Sequence, residues 1–372
     1  MGSSQSAGGR SGAPGGGADG AVGTPSGRYF LGADIGGTTI AVGLVDEEGA
    51  LQGGPAAAVG RGRSGVIPGD LGGPGAANSR IKVEALGTDH DPASVARRVR
   101  RLGDAVLAEA GRTWADVAGA GVCTPGLMDP RRGVVQTAAN LRGWQNVPIC
   151  DLLAEATGLD RAAVVLEHDT NAALLAEVWI GTAMGRDNVV LMTLGTGVGG
   201  AILCDGHLLR GSRGQAGEIG HAILVPGGRE FGGTGVRGIF EGYASASAVA
   251  AAAASPPAES SLRRDPPPDC AEVFRCAEEG DAFALEVVRD AARSIAIGCI
   301  NCCRFVDPDM IIFAGGMAQA GEFLLREVRA QFEAHHWNLE PVRVDIALAS
   351  AGSYAGAVGA AFAAKRHLDA AA

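Results

Sequence analysis

Two short turns rich in Gly and Thr, each lying between apolar runs, most constrain how this chain can fold. The first, Gly36-Gly37-Thr38-Thr39, separates residues 29–35 from residues 40–45. The second begins at Gly195-Thr196-Gly197 and is followed by the apolar residues 201–203. The G-x-G-x-x-G in the second segment does not predict a dinucleotide-binding fold, because that motif must open a helix and here a strand follows. Both segments therefore predict β-hairpins.

The two predicted turns also suit phosphate binding. Glycines allow backbone N–H groups to approach phosphate oxygens, and threonine hydroxyls add further donors. A nucleoside triphosphate held between the two turns would account for both of them, although an ordinary hairpin turn is the alternative for the first. Asp34 lies just before the first turn and could hold a magnesium ion through water.

A third constraining stretch is Glu167-His168-Asp169-Thr170-Asn171. The apolar residues 162–166 precede it and a helical pattern over residues 172–179 follows it, which predicts a strand, a turn that contains Asp169, and a helix. The end of such a strand lies where α/β folds bind ligands, and an ionised Asp there can accept a proton from a hydroxyl. The alternative is that Asp169 only caps the helix.

Other predicted strands also end in glycines. Thr124-Pro125-Gly126 follows the strand of residues 117–122, at a position where α/β folds bind ligands. Gly315-Gly316 follows the strand of residues 310–314, and this pair would let a flat ring lie on the backbone.

Polar residues in the loops complete the set of candidates. Glu218 and His221 are three residues apart and could hydrogen-bond adjacent hydroxyls of a polyol, although such a pair is more often a surface pair or a satisfied core histidine. Asn140 begins a loop, and Glu241 opens a helix after another Gly-rich loop.

Length and composition limit the organisation of the chain. Its 372 residues exceed the usual size of one hydrophobic core and predict two domains. Residues 1–27 have almost nothing to bury and are expected to be disordered. Residues 51–80 and 253–270 are rich in small residues and Pro and are expected to be low-complexity insertions.

Charge and cysteine content exclude several classes of function. A formal net charge of -10 gives no electrostatic basis for binding nucleic acid or an anionic membrane. The only lysines, Lys82 and Lys365, lie outside the Gly-rich loops, so a Walker-type phosphate site is excluded. Cys299 and Cys302 form C-x-x-C inside an apolar helical run, which predicts packing and not redox chemistry.

Location is expected to be cytoplasmic, because the eight cysteines are scattered and no secretory signal or membrane span is evident. The first six residues fit the pattern for N-myristoylation at Gly2, and an organellar transit segment is a further alternative.

Taken together, the motifs between residues 30 and 365 resemble those of the ROK family (repressors, open reading frames, sugar kinases), which has the actin and hexokinase-like ATPase fold related to ribonuclease H. The matching segments, in chain order, are Asp34-Ile35-Gly36-Gly37-Thr38, Thr124-Pro125-Gly126, Asn140-Leu141-x-Gly143-Trp144, Asp169-x-Asn171-Ala172-Ala173, Leu194-Gly195-Thr196-Gly197-Val198-Gly199-Gly200, Gly217-Glu218-Ile219-Gly220-His221 and Ala314-Gly315-Gly316.

The resemblance implies two α/β domains with a cleft between them. The small domain would comprise residues 28–139 and 353–372, and the large domain residues 140–352. ATP with Mg²⁺ and a sugar would bind in the cleft.

The resemblance also implies roles for individual residues. Asp169 would be the general base that takes the proton from the 6-hydroxyl of the sugar. The turns at Gly36, Gly37 and Thr38 and at Gly195, Thr196 and Gly197 would hold the phosphates of ATP. The sugar-binding residues would be Gly126, Asn140, His168, Glu218, His221 and Glu241, and Gly315 and Gly316 would flank the adenosine.

Two positions depart from the family pattern. Many members bind structural zinc through cysteines where this chain has Gly232, Thr234 and Ile239, so we expect no zinc. His168 stands where the family usually has an asparagine that bonds the sugar, which affects substrate choice and pH dependence.

These features predict an ATP-dependent hexokinase of the glucokinase type. In members selective for N-acylmannosamine an arginine can follow the glycine that matches Gly126, and Leu127 in that position favours glucose. The alternatives are an N-acylhexosamine kinase and a sugar-sensing regulator, although residues 1–27 are too short and too rich in Gly for a helix-turn-helix. Dimers are common in the family, so a homodimer is one possible state, but the sequence alone does not give the oligomeric state.

Overall fold

The computed structural model of the protein describes residues 27–53, 80–336 and 343–372. The predicted tail and Gly2, and nearly all of the predicted insertion at residues 51–80, lie outside the described residues. The described residues form thirteen strands and nine helices.

The strands are β1 (Tyr29–Ile35), β2 (Thr39–Val45), β3 (Ile81–Ala85), β4 (Val117–Thr124), β5 (Leu127–Asp129), β6 (Val134–Thr137), β7 (Gln145–Val147), β8 (Val164–His168), β9 (Val189–Leu194), β10 (Val198–Cys204), β11 (His207–Leu208), β12 (Met310–Ala314) and β13 (Asp345–Leu348). The helices are α1 (Pro92–Glu109), α2 (Ile149–Thr157), α3 (Asp169–Ile180), α4 (Glu241–Ala244), α5 (Ala246–Ala252), α6 (Cys270–Glu278), α7 (Ala282–Val306), α8 (Gly321–His335) and α9 (Ala355–Ala371).

Two five-stranded sheets with the same arrangement form the framework. Their strand orders are β3-β2-β1-β4-β8 and β11-β10-β9-β12-β13. In each sheet an antiparallel hairpin, β1-β2 or β9-β10, is extended on its first strand by two parallel strands. The two predicted hairpins and the mixed α/β class are thus confirmed. Strands β5, β6 and β7 form a small third sheet.

Each large sheet has its own hydrophobic core. Apolar side chains of β1, β2, β4 and β8 pack against α1 and α2, as in the cluster that contains Leu31, Val99 and Leu153. The second core lies between β9, β12 and helices α6, α7 and α8, and it includes Phe240 and Phe313.

The predicted boundary at residue 140 assigns β8 to the large domain, whereas β8 pairs with β4 in the first sheet. The β8 side chain Leu166 belongs to the same core as α1 and α2. Strand and helix patterns identify elements but not their sheet partners, which depend on contacts distant in sequence. The division into two domains stays a prediction.

Helix α9 packs on the first sheet at very short range. Glycines at the contact make room for it: a Cβ on Gly32 would lie 1.8 Å from the Ala357 carbonyl oxygen, and one on Gly121 would lie 1.8 Å from that of Ala360. On the other side of the helix, a Cβ on Gly359 would lie 1.6 Å from the carbonyl oxygen of Ala172 in α3. Small residues on both sides of these contacts therefore allow α9 to pack closely.

The segment of residues 253–270, predicted to be a low-complexity insertion, contacts the second core. Leu262 is fully buried and belongs to the second core. The Asp281 carboxylate accepts hydrogen bonds from Ser260 Oγ (3.0 Å), Ser261 Oγ (2.7 Å) and Ser261 N (2.6 Å). The buried side chains of Ala253 and Leu262, together with the Asp281 carboxylate, thus anchor a segment whose composition is typical of low complexity.

Helix α7 confirms the interpretation of C-x-x-C as packing. Cys299 and Cys302 are both buried in the second core. Burial raises the pKa of the Cys302 thiol to about 12 and that of Cys299 also well above its usual value. Neither thiol has the thiolate character that redox chemistry requires.

No helix within the described ranges is both long and apolar enough to cross a membrane.

The contact between α9 and the first sheet generates a stability prediction. Gly121→Ala should lower the free energy of unfolding by about 3 kcal/mol, because the added methyl group overlaps the Ala360 carbonyl and forces the helix away from β4. Urea unfolding would measure the change, with Gly27→Ala as the control because no atom of the described residues lies within 4 Å of a Cβ there. An unchanged midpoint for Gly121→Ala would contradict this packing account.

Candidate active site

Three parallel strands of the first sheet carry the candidate catalytic groups at their carboxyl ends. In the register of these strands, Asp34 of β1 lies opposite Cys123 of β4, and Thr124 of β4 lies opposite His168 of β8. The carboxyl ends of the three strands therefore meet beside Asp169, which directly follows β8. This is the position at which open α/β sheets bind ligands.

Asp169 is the first residue of α3, with His168 as the N-cap, so its predicted position within a turn is wrong. The strand also lies two residues later than predicted, since residues 161–163 form a 3₁₀ turn. Asp169 Oδ1 accepts a hydrogen bond from Thr170 N (2.7 Å), and Oδ2 makes none within the described residues. The side chain is 38% exposed. Oδ1 thus bonds the first turn of α3, while Oδ2 is available to accept a proton.

His168 lies directly against this carboxylate. Its Nδ1 is 3.0 Å from Asp169 Oδ1 and 2.7 Å from Thr170 Oγ1. Burial lowers the pKa of His168, but the hydrogen bond and charge of Asp169, with smaller contributions from Glu218 and Glu167, raise it to a net value above the ordinary one. The charge of Asp169 therefore extends the pH range over which the imidazole stays protonated.

Asp34 and Asp169 are close enough to affect each other. Burial and then the negative charge of Asp169 raise the pKa of Asp34 to about 6. Space for the Asp34 carboxylate exists because residue 356 is glycine: a Cβ there would lie 2.2 Å from Asp34 Oδ2. Two adjacent carboxylates at a strand end form a donor set that suits a hard divalent cation.

The first Gly-Thr turn lies beside the loop that begins at Asn140. Gly36 N donates to Thr39 O (2.9 Å), and Thr38 O accepts from Leu86 N (2.7 Å), so β3 supports the turn. A Cβ on Gly37 would lie 2.8 Å from Asn140 Cβ. The structure thus brings Gly37 together with a predicted sugar-binding residue.

The second Gly-Thr turn is fixed by groups from α4 and α5. Gly195 N donates to Gly197 O (2.9 Å), and Ser247 Oγ donates to Thr196 O (2.8 Å). Glu241 Oε2 accepts a hydrogen bond from Val198 N (2.7 Å). Glu241 therefore holds this turn with one oxygen, and its contact with a sugar stays a prediction.

The second hairpin also contacts the start of α3. A Cβ on Gly199 would lie 2.9 Å from Thr170 Cγ2, and Gly199 N donates to Thr193 Oγ1 (3.1 Å). The phosphate-type turn of the second sheet is thereby connected to the residue that follows Asp169.

Gly315 lies against the strand that leads into the second turn. Its φ is +91°, and a Cβ would lie 2.6 Å from the carbonyl oxygen of Leu194, so only glycine fits here. A cavity of about 840 Å³ opens beside these glycines, and its lining includes Gly195, Thr196, Ser247, Phe274, Gly316 and Met317. Its size and apolar walls suit a nucleoside.

The segment that contains Glu218 and His221 packs along β10. A Cβ on Gly220 would lie 2.0 Å from the Val198 carbonyl oxygen. Glu218 Oε2 is 3.8 Å from His221 Nδ1, so the predicted pair is formed. Both side chains are more than 40% exposed, which leaves them available to a ligand.

Gly126 requires glycine for a similar reason. Its φ is +114°, and a Cβ would lie 2.3 Å from the carbonyl oxygen of Thr137. The backbone after β4 thus passes close to the third sheet.

In this chain the loop that binds zinc in many family members is stabilised by contacts that involve no metal. Glu230 and Arg237 form an isolated bridge, and Arg229 N donates to Tyr243 Oη (2.7 Å) while its guanidinium lies 4.8 Å from the Tyr243 ring centre. Gly232, Thr234 and Ile239 offer no zinc ligands. Among the described residues, no cluster of three or more His, Cys, Asp and Glu side chains could hold a metal ion. The absence of zinc stays a prediction that metal analysis can test.

Sequence reasoning missed several residues that support the site. Glu167 is 2% exposed, accepts from Asn171 Nδ2 (2.8 Å) and His168 N (3.1 Å), and forms an ion pair with Arg210. Glu167 could have been found from the sequence, because a charged residue at the end of an apolar strand indicates a buried, paired charge. Neither Arg210 nor Gly356 gave a comparable signal, because each meets its partner from a distant part of the chain.

The contact between His168 and Asp169 predicts a pH dependence of stability. The folded pKa of His168 exceeds the unfolded one, so its contribution is fully present below about pH 6.5 and is lost as the pH rises through the folded pKa. The unfolding free energy of the protein should therefore exceed that of His168→Asn by more at about pH 5.5 than at about pH 8.5.

Urea unfolding at both pH values measures this difference, and His335→Asn on the exposed end of α8 is the matched control. If the loss of unfolding free energy in His168→Asn is equal at the two pH values, or larger at the higher one, Asp169 does not favour the protonated imidazole.

Comparison with known proteins agrees with this geometry. The ROK family pattern matches residues 99–367. A glucokinase of Halalkalibacterium halodurans is 31% identical over 341 residues, which cover 90% of this chain and 94% of that protein.

Two solved structures share the fold across the chain. A ROK hexokinase from Thermus thermophilus has a TM-score of 0.71 and 31% identity, with 92% of this chain and 100% of that chain covered. A ROK family glucokinase from Streptomyces griseus, solved in complex with glucose and AMPPNP, has a TM-score of 0.67 and 29% identity, with 91% and 99% covered. The predicted actin and hexokinase-like fold is confirmed, and the chain belongs to the ROK family.

Proposed function

We propose that this ROK family sugar kinase transfers the γ-phosphoryl group of ATP to the 6-hydroxyl of glucose. The observation that carries the proposal is the position of Asp169 at the strand ends. Its Oδ2 makes no hydrogen bond within the described residues, and the next residue, Thr170, lies against Gly199 at the start of β10, directly after the second Gly-Thr turn. The glucokinase of H. halodurans and the S. griseus glucokinase bound to glucose and AMPPNP support the choice of substrates.

Asp169 acts as the general base in this proposal. Its Oδ2 accepts the proton of the 6-hydroxyl as that oxygen bonds to the γ-phosphorus, and the bond from the γ-phosphorus to the bridging oxygen breaks, so that ADP leaves. His168 holds Oδ1, which restricts the carboxylate to one orientation. General base catalysis of this kind contributes about 10²–10⁴ in rate.

The sugar lies between the loop of Asn140 and the Glu218/His221 pair. The other residues expected to contact it are Gly126, His168 and Glu241. Carboxylates and imidazole nitrogens can each bond hydroxyls, so the set suits a polyol.

The two Gly-Thr turns hold the phosphates through backbone N–H groups and hydroxyls, with no lysine. Asp34 is the candidate ligand, through water, for Mg²⁺. A cation there would offset the charge of Asp169, which after burial is the second cause that raises the pKa of Asp34 to about 6. The bound ion would neutralise charge on the transferring phosphoryl group. The adenosine occupies the 840 Å³ cavity beside Gly315 and Gly316.

Asp169→Asn tests the proposed base. The amide keeps the shape of the side chain but cannot accept the proton, so kcat for glucose should fall about 10²–10⁴-fold with little change in KM. A coupled ADP-release assay measures both constants. The matched control is Asp151→Asn on α2, where the acid pairs with Arg161. Unchanged turnover of Asp169→Asn would refute the role.

The same assay across glucose, mannose, fructose, N-acetylglucosamine and N-acetylmannosamine tests the substrate. Glucose should have the highest kcat/KM. A preference for either N-acetylhexosamine would replace the glucose proposal, and no turnover with any of the sugars would support the non-catalytic, sugar-sensing alternative.

Gly356→Ala tests the position of Asp34. The methyl group would lie 2.2 Å from Asp34 Oδ2 and must displace it, and a shift of about 1 Å in a reactive site can cost about 10²-fold in rate. We expect kcat to fall while the urea midpoint changes little, because only a side chain has to move. Full activity of the variant would show that Asp34 does not need this position.

A further inference from the structure

A second cavity lies at the junction of the two large sheets. It has a volume of about 860 Å³ and is lined by β8 of the first sheet, β11 of the second and the end of α9. Both β8 and β11 are edge strands, so the cavity separates two free sheet edges. Neither Gly-Thr turn, nor Asp34 or Asp169, contributes to its lining.

The cavity carries positive charge on a chain whose formal net charge is -10. The basic residues of its lining are Arg131, Arg161, His207, Arg210, Arg366 and His367. Glu167 is the acid of the lining, and it is paired with Arg210. With neutral histidines the four arginines and one glutamate leave a formal charge of +3.

Several of these donors have no protein partner. Arg131 makes no hydrogen bond or ion pair within the described residues, and Arg366 uses only Nη2, which donates to Gly206 O (2.6 Å). Arg210 uses Nε and Nη2 on Glu167 and leaves Nη1 unused. Arg161, by contrast, is engaged by Asp151, Val164 O and Arg132 O.

The arginines also repel one another. Burial and the charge of Arg210 lower the pKa of the Arg366 guanidinium. Holding like charges together in a partly buried space costs stability unless an anion binds there.

We propose that this cavity is a second ligand site, which binds the phosphate dianion of a small molecule through Arg131, Arg210 and Arg366. Arginine is the side chain best suited to phosphate, because its planar donors form paired charged hydrogen bonds. The volume exceeds what one phosphate needs and accommodates a phosphate monoester of metabolite size.

The site is coupled to the candidate base through Glu167. That carboxylate is bound to Arg210 on the cavity side and to His168 N on the other, and His168 precedes Asp169. An anion that binds Arg210 therefore changes the ion pair that holds Glu167 at the end of β8. The proposal does not depend on the kinase assignment.

Isothermal titration of the full chain with inorganic phosphate and with glycerol 3-phosphate tests the site. Both probes carry the dianion, and the tighter one identifies the source as free or esterified phosphate. Arg131→Gln should weaken binding about tenfold and the Arg131→Gln/Arg366→Gln pair about a hundredfold. Since Arg131 makes no described contact, its variant retains the fold.

Arg293→Gln is the matched control, because it removes an exposed arginine on α7 that pairs with Asp290 outside the cavity. Anion binding at the Gly-Thr turns would persist in the cavity variants, so only the loss specific to Arg131 and Arg366 supports the site. Equal binding by the protein and both cavity variants, or no binding of either probe, would overturn it.

Hydrogen exchange provides the test of coupling. The tighter probe should alter amide exchange in residues 164–171, where His168 N donates to Glu167, and should not do so in the double variant. Binding without any change in this segment would refute the connection to β8.

Discussion

The closeness of two carboxylates is the constraint on which the rest of the site depends. Asp34 and Asp169 end up together because β1, β4 and β8 run parallel in register, and burial with mutual repulsion raises the pKa of Asp34 to about 6. The sheet alone cannot relieve this repulsion. In the proposed function a cation binds at Asp34 and Asp169 accepts a proton, so the two charges have separate roles in phosphoryl transfer from a nucleotide to a hydroxyl.

The repeated arrangement of the two sheets explains why both turns exist. Each sheet places an antiparallel hairpin beside two parallel strands, so each presents one Gly-Thr turn. The sequence was sufficient to predict both hairpins, because a turn between two apolar runs is a local signal. It was also sufficient to predict the Glu218/His221 pair, whose members are three residues apart.

Features that depend on distant contacts could not be predicted in this way. The membership of β8 in the first sheet, the burial of Leu262 and the pairing of Glu167 with Arg210 each join segments that are far apart in the chain. Gly356 looked like one more small residue in a helix, and its importance appears only when Asp34 is placed beside it. Composition gave no sign that Ala253 and Leu262 are buried or that the Asp281 carboxylate bonds Ser260 and Ser261.

The proposed roles of Asp34 as the cation site and of Asp169 as the base are tested most directly by nucleotide binding with and without Mg²⁺. Titrating ATP into Asp34→Asn and Asp169→Asn separates the roles, since neither measurement requires turnover. Mg²⁺ should strengthen ATP binding in the unaltered protein and in Asp169→Asn but have little effect in Asp34→Asn. An unchanged Mg²⁺ effect in Asp34→Asn, with loss of that effect in Asp169→Asn, would contradict the account.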